Sequence, residues 1–180
     1  MKSLVLFMFF LLIPFSVVAQ STSQKILTVG DSAPDFSLPY ATQDSVADDD
    51  LKLSSFTGKR NVVLAFYPAD WSGGCTKEVC TLRDNFSALA ILDAEILGIS
   101  GDYEYSHHEW AKHHQLPFKL VSDHNHSVAK TYSSYNESGY NKRTVYVVDK
   151  SGKIAYIDLQ YSVRTSDSFN KLQDALKALK

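Results

Sequence analysis

The chain has 180 residues with Lys+Arg 18 against Asp+Glu 20, a formal net charge of −2. That length suits one domain, and 44% hydrophobic with 21% charged residues excludes general disorder and a polytopic membrane protein. The charge balance offers nothing for a nucleic-acid partner, and two cysteines are too few for a disulfide-built mini-scaffold.

The N-terminus is set apart from the fold. A short positive start, Met1-Lys2-Ser3, leads into an apolar run from Leu4 to Ala19 that is broken by Pro14. A bilayer core needs about 20 apolar residues, so the run is short for a span. Val17-Val18-Ala19 offers a small-residue cleavage site before Gln20. The expected organisation is a signal peptide over 1–19, a flexible polar stub over 20–28 and one domain over 29–180. An uncleaved anchor is the competing reading. With cleavage after Ala19 the protein would be periplasmic or secreted, with no stable membrane insertion.

Within the domain, Asp44 to Asp50 reads as an acidic exposed loop. Asn61 to Tyr67 is a continuous apolar run ended by Pro68, as a central strand buried on both faces requires. A helix follows over Thr76 to Leu92, with Val79, Leu82, Phe86, Leu89 and Ala90 spaced by three and four. Ala94 to Ser100 is the next strand, Tyr105 to His114 a helix, Phe118 to Val121 a short strand and Ser127 to Tyr132 a short helix. Thr144 to Asp149 and Ile154 to Leu159 form a hairpin across Lys150-Ser151-Gly152-Lys153. A last helix after Ser166 buries Phe169, Leu172, Leu176 and Leu179. This order predicts an α/β fold, a thioredoxin-like sandwich with a central mixed β-sheet flanked by α-helices.

The chemistry concentrates in one stretch. Both cysteines, Cys75 and Cys80, lie just beyond the first central strand, where open α/β sheets gather reactive groups. Gly73 and Gly74 are expected to let the backbone turn tightly and approach closely. Cys75 falls in the first turn of the helix, where free amides and the positive helix end favour a thiolate. The plainer reading is two buried thiols or, in an exported chain, a structural disulfide. Helix geometry argues against the disulfide, because two residues five apart have Cα atoms about 8.7 Å apart, whereas a disulfide needs about 4.4–6.8 Å. The pair can bond only if the start of the helix unwinds, which a redox cycle allows and a static staple does not.

Pro68-x-x-x-Ser72-x-x-Cys75 is similar to the peroxiredoxin active-site signature, Pro-x-x-x-Thr/Ser-x-x-Cys. Gly74 to Asp84 resembles the bacterioferritin-comigratory-protein, or Q-type, branch, with its two cysteines five apart on one helix. The likeness extends from Val29-Gly30-Asp31-Ser32-Ala33-Pro34-Asp35-Phe36 through Leu53 to Lys59 and Leu116 to Asp123, and on to Arg143 before the Thr144 strand. It implies a thiol-dependent peroxidase acting on hydrogen peroxide and organic hydroperoxides. Cys75 would attack the peroxide as thiolate and become a sulfenic acid. Ser72 would offer its hydroxyl to the sulfur and the peroxide. Pro68 would shield the sulfur and fix the loop. Arg143 would hold the thiolate and stabilise transition-state charge, and Glu78 would orient that arginine. Cys80 would resolve the sulfenic acid as a disulfide, and a thioredoxin-like dithiol reductant would restore both thiols. No cofactor is implied. The intramolecular route needs no second subunit, which points to a monomer. An oxidising periplasm would require a membrane-fed reductant. Two residues depart from the branch: Gly73 stands where proline is usual, and Trp71 is unusual beside the site.

Two other classes compete. A thioredoxin-like thiol–disulfide oxidoreductase would share the fold but normally use Cys-x-x-Cys. A Sco-like copper-delivery protein would use Cys-x-x-x-Cys and a distant histidine. The six histidines (His107, His108, His113, His114, His124 and His126) have no HExxH-type spacing. Most are expected to be exposed helix and loop residues, and no metal site is assigned to them. Asp149 and Glu95 are read as structural.

Overall fold

The computed structural model describes residues 26–179. The leader reading over 1–19, and residues 20–25 of the stub, lie outside the described residues. Three short strands open the fold, β1 (Ser37–Leu38), β2 (Tyr40–Ala41) and β3 (Leu51–Lys52), followed by a 3₁₀ turn at Leu53–Phe56. The main elements are then β4 (Asn61–Phe66), α1 (Gly73–Asp84), α2 (Phe86–Ala90), β5 (Ala94–Ser100), α3 (Glu104–His114), β6 (Lys119–Ser122), α4 (Ser127–Thr131), β7 (Thr144–Val148), β8 (Ile154–Asp158) and α5 (Asp167–Lys177).

Six strands form one sheet in the order β2-β6-β5-β4-β7-β8. β4 is parallel to β5, and β5 to β6, while β7, β8 and β2 run antiparallel to their neighbours. The sheet is therefore mixed, with helices on both faces, as expected of the thioredoxin-like sandwich. β4 is buried along its whole length, which explains the unbroken apolar run in its sequence. Its alternate residues serve two cores. Val63, Ala65 and the following Tyr67 pack with Cys75, Val79 and Leu82 of α1, Trp110 of α3 and Leu172 and Leu176 of α5. Val62, Leu64 and Phe66 pack with Phe36, Leu51, Leu53, Val128, Ala129 and Tyr132.

The structure corrects the sequence reading in several places. The helix predicted from Thr76 to Leu92 begins at Gly73 and breaks at Asn85, whose φ and ψ of −108° and 9° leave the helical region. Asn85 Nδ2 donates to the Thr81 carbonyl at 2.9 Å, so its side chain closes the helix that its backbone ends. β1, β2 and β3 are each two residues long, too short to show a period in sequence. The β7–β8 connection is the expected tight turn: Gly152 takes φ +79°, and Asp149 Oδ1 accepts from the amides of Ser151 and Lys153.

Candidate active site

Strand pairing brings the site together. β7 runs antiparallel to β4, with Thr144 opposite Phe66. The residue before β7 therefore lies at the same sheet end as the loop leaving β4. That residue is Arg143, and that loop leads into α1. The Tyr161 amide pins Arg143 further by donating to its carbonyl at 3.2 Å.

Arg143 Nη2 lies 3.4 Å from Cys75 Sγ, within sulfur's hydrogen-bonding range. Nη1 donates to Glu78 Oε2 in a close ion pair. Cys75 and Glu78 are buried and one helical turn apart, so both face Arg143. Gly74 allows this approach, because a Cβ there would sit 3.2 Å from Arg143 Nη2. The Cys75 sulfur thus faces a guanidinium and occupies the first turn of a twelve-residue helix. Both are sources of positive potential, the surroundings that favour a thiolate nucleophile. Cys75 and Cys80 are both unbridged thiols, the first buried and the second partly exposed.

Burial pushes the Glu78 carboxyl up to about 7, while Arg143 pulls it back through charge and hydrogen bonding. Its second oxygen, Oε1, is buried with no hydrogen-bond partner among the described residues. Burial works against the charge of Arg143, but Glu78 and the Cys75 sulfur outweigh it and hold the guanidinium above its ordinary range.

Pro68 is half-buried just beyond β4, and Ser72 is the exposed N-cap residue of α1. The Ser72 hydroxyl donates to the Ala69 carbonyl at 3.3 Å, so in this structure it is engaged by the loop and not by the sulfur. The close approach expected of the glycine pair is met at Gly74, but the tight turn needs correcting. Gly73 and Gly74 are the first residues of α1, while the left-handed backbone falls on Trp71 at φ +57°. Such a conformation is a true outlier for a bulky residue. The Trp71 side chain is 56% exposed, and its ring lies 5.6 Å from that of His113.

The histidine reading is corrected as well. His107 is fully buried; His108, His114 and His126 are partly buried; only His113 and His124 are exposed. His107 belongs to a polar cluster under the active-site loop. Asp70 accepts from the Tyr67 and Ser106 hydroxyls, each at 2.8 Å, and its Oδ2 lies 3.0 Å from His107 Nδ1. The Asp70 amide donates to Asp102 Oδ2 at 2.8 Å. These contacts tie the Pro68–Ser72 loop to α3 and to the end of β5. Burial, followed by the charge of Asp70, raises the Tyr67 phenol well above its ordinary range. At the other end of α3, His114 Nδ1 lies 4.0 Å from Cys80 Sγ, and the His114 carbonyl accepts from Arg83 Nη1 at 2.8 Å. Sequence reasoning passed over Asp70, His107 and His114. The available signal was helical spacing: His107, Trp110, Ala111 and His114 share the face of α3 that turns inward.

Residues 29–157 match the AhpC/TSA family. The chain belongs to this family of peroxiredoxins. It is 42% identical over 130 residues to peroxiredoxin Q, chloroplastic, of Oryza sativa subsp. japonica, a match covering 71% of this chain and 57% of the rice protein. Peroxiredoxin Bcp of Bacillus subtilis (strain 168) is 34% identical over 135 residues, covering 71% of this chain and 82% of its own. Among solved structures, peroxidoxin BcpB from Mycobacterium tuberculosis superposes with a TM-score of 0.74 at 28% identity, over 86% of this chain and 99% of that one. The family's thioredoxin-like fold is the fold found here, and the relatives named Q and Bcp agree with the branch read from Gly74 to Asp84.

Proposed function

We propose that the protein is a thiol-dependent peroxidase that reduces hydrogen peroxide and organic hydroperoxides. The observation that carries this reading is the Arg143 guanidinium 3.4 Å from Cys75 Sγ at the start of α1, braced by buried Glu78. The Cys75 thiolate attacks one peroxide oxygen. An S–O bond forms, the O–O bond breaks, and the leaving oxygen departs as hydroxide or alkoxide and takes up a proton. Arg143 and the helix amides stabilise the negative charge passing between the oxygens. Ser72 lies close enough in sequence to turn its hydroxyl from Ala69 towards a bound peroxide, while Pro68 limits water at the sulfur.

The product is a Cys75 sulfenic acid, which Cys80 resolves as an intramolecular disulfide once the start of α1 opens. A thioredoxin-like dithiol protein then reduces the disulfide by exchange. This cycle needs one subunit only. The leader-like residues 1–19 add export with cleavage after Ala19 to the proposal, which cell fractionation and the N-terminal mass test: an exported chain beginning at Gln20 supports it, and a chain with intact Met1 retained in the cytoplasm refutes it. The relatives named peroxiredoxins favour this reading over protein-to-protein electron transfer and over copper delivery.

The decisive experiment is rapid mixing of the reduced protein with hydrogen peroxide, with thiols and intact mass followed for wild type, Cys75→Ser and Cys80→Ser. Wild type should lose both thiols and form a 75–80 disulfide. Cys80→Ser should stop at the sulfenic acid, and Cys75→Ser should consume no peroxide. Slow oxidation independent of Cys75 would overturn the proposal.

A further inference from the structure

The second thiol of the cycle has a basic group beside it. Cys80 Sγ lies 4.0 Å from His114 Nδ1, inside the longer range of sulfur hydrogen bonds. The contact is a built one. Arg83, one turn beyond Cys80, donates Nη1 to the His114 carbonyl at 2.8 Å and so ties the end of α3 to the second half of α1. The ring of His114 is held in turn by Trp110, edge-on at 5.8 Å, and by His113 at 4.7 Å.

We infer that His114 is the acid–base catalyst of the resolving step, taking the proton from Cys80 as its sulfur attacks the sulfenic acid of Cys75. This inference rests on the proposed peroxidase cycle. In the Nε2–H tautomer, Nδ1 accepts the Cys80 S–H. The thiolate sulfur attacks the sulfur of Cys75–SOH, the S–S bond forms, and the S–O bond breaks with its electron pair leaving on hydroxide. The imidazolium returns its proton to that hydroxide, giving water. The Cys80 sulfur is oxidised and the Cys75 sulfur reduced to the disulfide level, so the step needs no further oxidant or reductant.

The need is chemical. A free cysteine with a pKa near 8.5 is only a few per cent thiolate at neutral pH, and the thiolate is the attacking form. The fold also fits the sequence of events. The half of α1 that carries Cys80 is docked on α3 through Arg83, while residues 71–74 are exposed. Opening the first turn therefore moves Cys75 towards Cys80 and leaves the Cys80–His114 pair in place. His114 is suited to accept a proton at neutral pH, because burial and then the neighbouring charges of His113 and Arg83 hold its imidazole below the ordinary histidine range. The titratable and charged groups around it are His113 on its own helix and Cys80 and Arg83 on α1; Trp71 and Trp110 complete the surroundings without charge.

The test is rapid-quench oxidation of the full chain by hydrogen peroxide across pH 5–9, with sulfenic acid and disulfide resolved by mass. In wild type the disulfide-forming step should rise with pH on the acid side of neutrality, as His114 loses its proton. In His114→Asn that step should slow by about 10²-fold relative to sulfenic acid formation. Its rise should also move to higher pH, because the Cys80 proton then leaves without a base beside it. The slower step should leave the sulfenic acid open to a second peroxide, so sulfinic acid should accumulate at lower peroxide concentrations than in wild type. A merely structural role would slow the step without moving its pH profile, and that result overturns the inference. So does a wild-type profile with no rise on the acid side of neutrality, a measurement requiring no variant. Failure of wild type to form any 75–80 disulfide would overturn the cycle itself, and this inference with it.

Discussion

The buried carboxyl of Glu78 makes a prediction in which stability reports on the site. Its folded value lies near 7, raised from an ordinary 4.5 by burial that the Arg143 charge only partly offsets. A carboxyl shifted upward binds its proton more tightly in the folded than in the unfolded state. Its contribution to stability is therefore fully present below pH 4.5 and is lost as pH rises through 7. Between those limits the slope approaches 1.4 kcal/mol per pH unit, so the loss across the window is roughly 3 kcal/mol. Glu78→Gln removes this titration while keeping shape and one acceptor oxygen for Arg143. The amide does not titrate, so whatever the substitution costs is the same at every pH and displaces the variant's curve without adding slope.

The assay is urea unfolding of wild type and Glu78→Gln under reducing conditions, from pH 4.5 to 8. Other carboxylates cancel in the comparison. Asp35 and Asp149, where burial is outweighed by hydrogen bonds from Ser54 and Ser151, are shifted downward in both proteins alike. The wild-type curve should fall relative to that of the variant by roughly 3 kcal/mol, most of it between pH 5 and 7. Parallel curves would refute the reasoning and place Glu78 as an ordinary carboxylate paired with Arg143 throughout.

Arg143→Ala removes the cation from both Cys75 and Glu78, and the second-order rate with hydrogen peroxide should fall by about 10²–10³-fold, the usual loss of one charge-stabilising group. An unchanged rate in stopped flow would remove Arg143 from the proposed chemistry. Gly98→Ala tests packing at the centre of the sheet. Its Cβ would lie 2.7 Å from Leu120 Cδ2 and 3.3 Å from Tyr67 Cε1. Thermal unfolding should show a loss of about 1–3 kcal/mol, as overpacked cores do, and an unaltered midpoint would show that the site can give way.

The main strands and helices were legible because each carries a period or an apolar run long enough to read. β4, β5 and β7 are buried on both faces, and their sequences are almost wholly apolar. The two-residue strands near the N-terminus have no such signature and exist through long-range pairing, as Tyr40 with Val121 shows. The two thiols were legible too, since Cys75 and Cys80 lie just beyond the first central strand, while Glu78 and Arg143 were named only through the resemblance around Cys75. Arg143 lies 68 positions from Cys75 and is placed by the antiparallel register of β4 and β7, which local pattern does not reveal. The polar cluster of Asp70 and His107 escaped for a related reason. A histidine among charged neighbours reads as solvated until its helical face is compared with that of Trp110 and Ala111.

α1 is held unevenly, and the proposed cycle depends on it. Its second half is anchored: Val79 and Leu82 are 1% exposed, Arg83 is bonded to the end of α3, and Asn85 closes the last turn. Its first turn has no side-chain cap from Ser72, follows left-handed Trp71, and is exposed at Gly73 and Gly74. The restraint on that turn comes from the Cys75 side chain, through burial and the contact with Arg143. In the proposed cycle, converting the thiolate to an uncharged sulfenic acid weakens that contact at the moment when the helix must open. The Cα atoms of the two cysteines, about 8.7 Å apart in a regular helix, must then close to about 4.4–6.8 Å. Amide hydrogen exchange on the reduced protein should show residues 76–77, the first amides bonded within α1, exchanging at least tenfold faster than 81–83, a difference in opening free energy of about 1.4 kcal/mol or more. Cys75→Ser, which cannot offer a thiolate to Arg143, should widen the gap. Equal protection along the whole helix would mean that α1 opens as one unit, and the contact with Arg143 would then have no part in controlling which half moves.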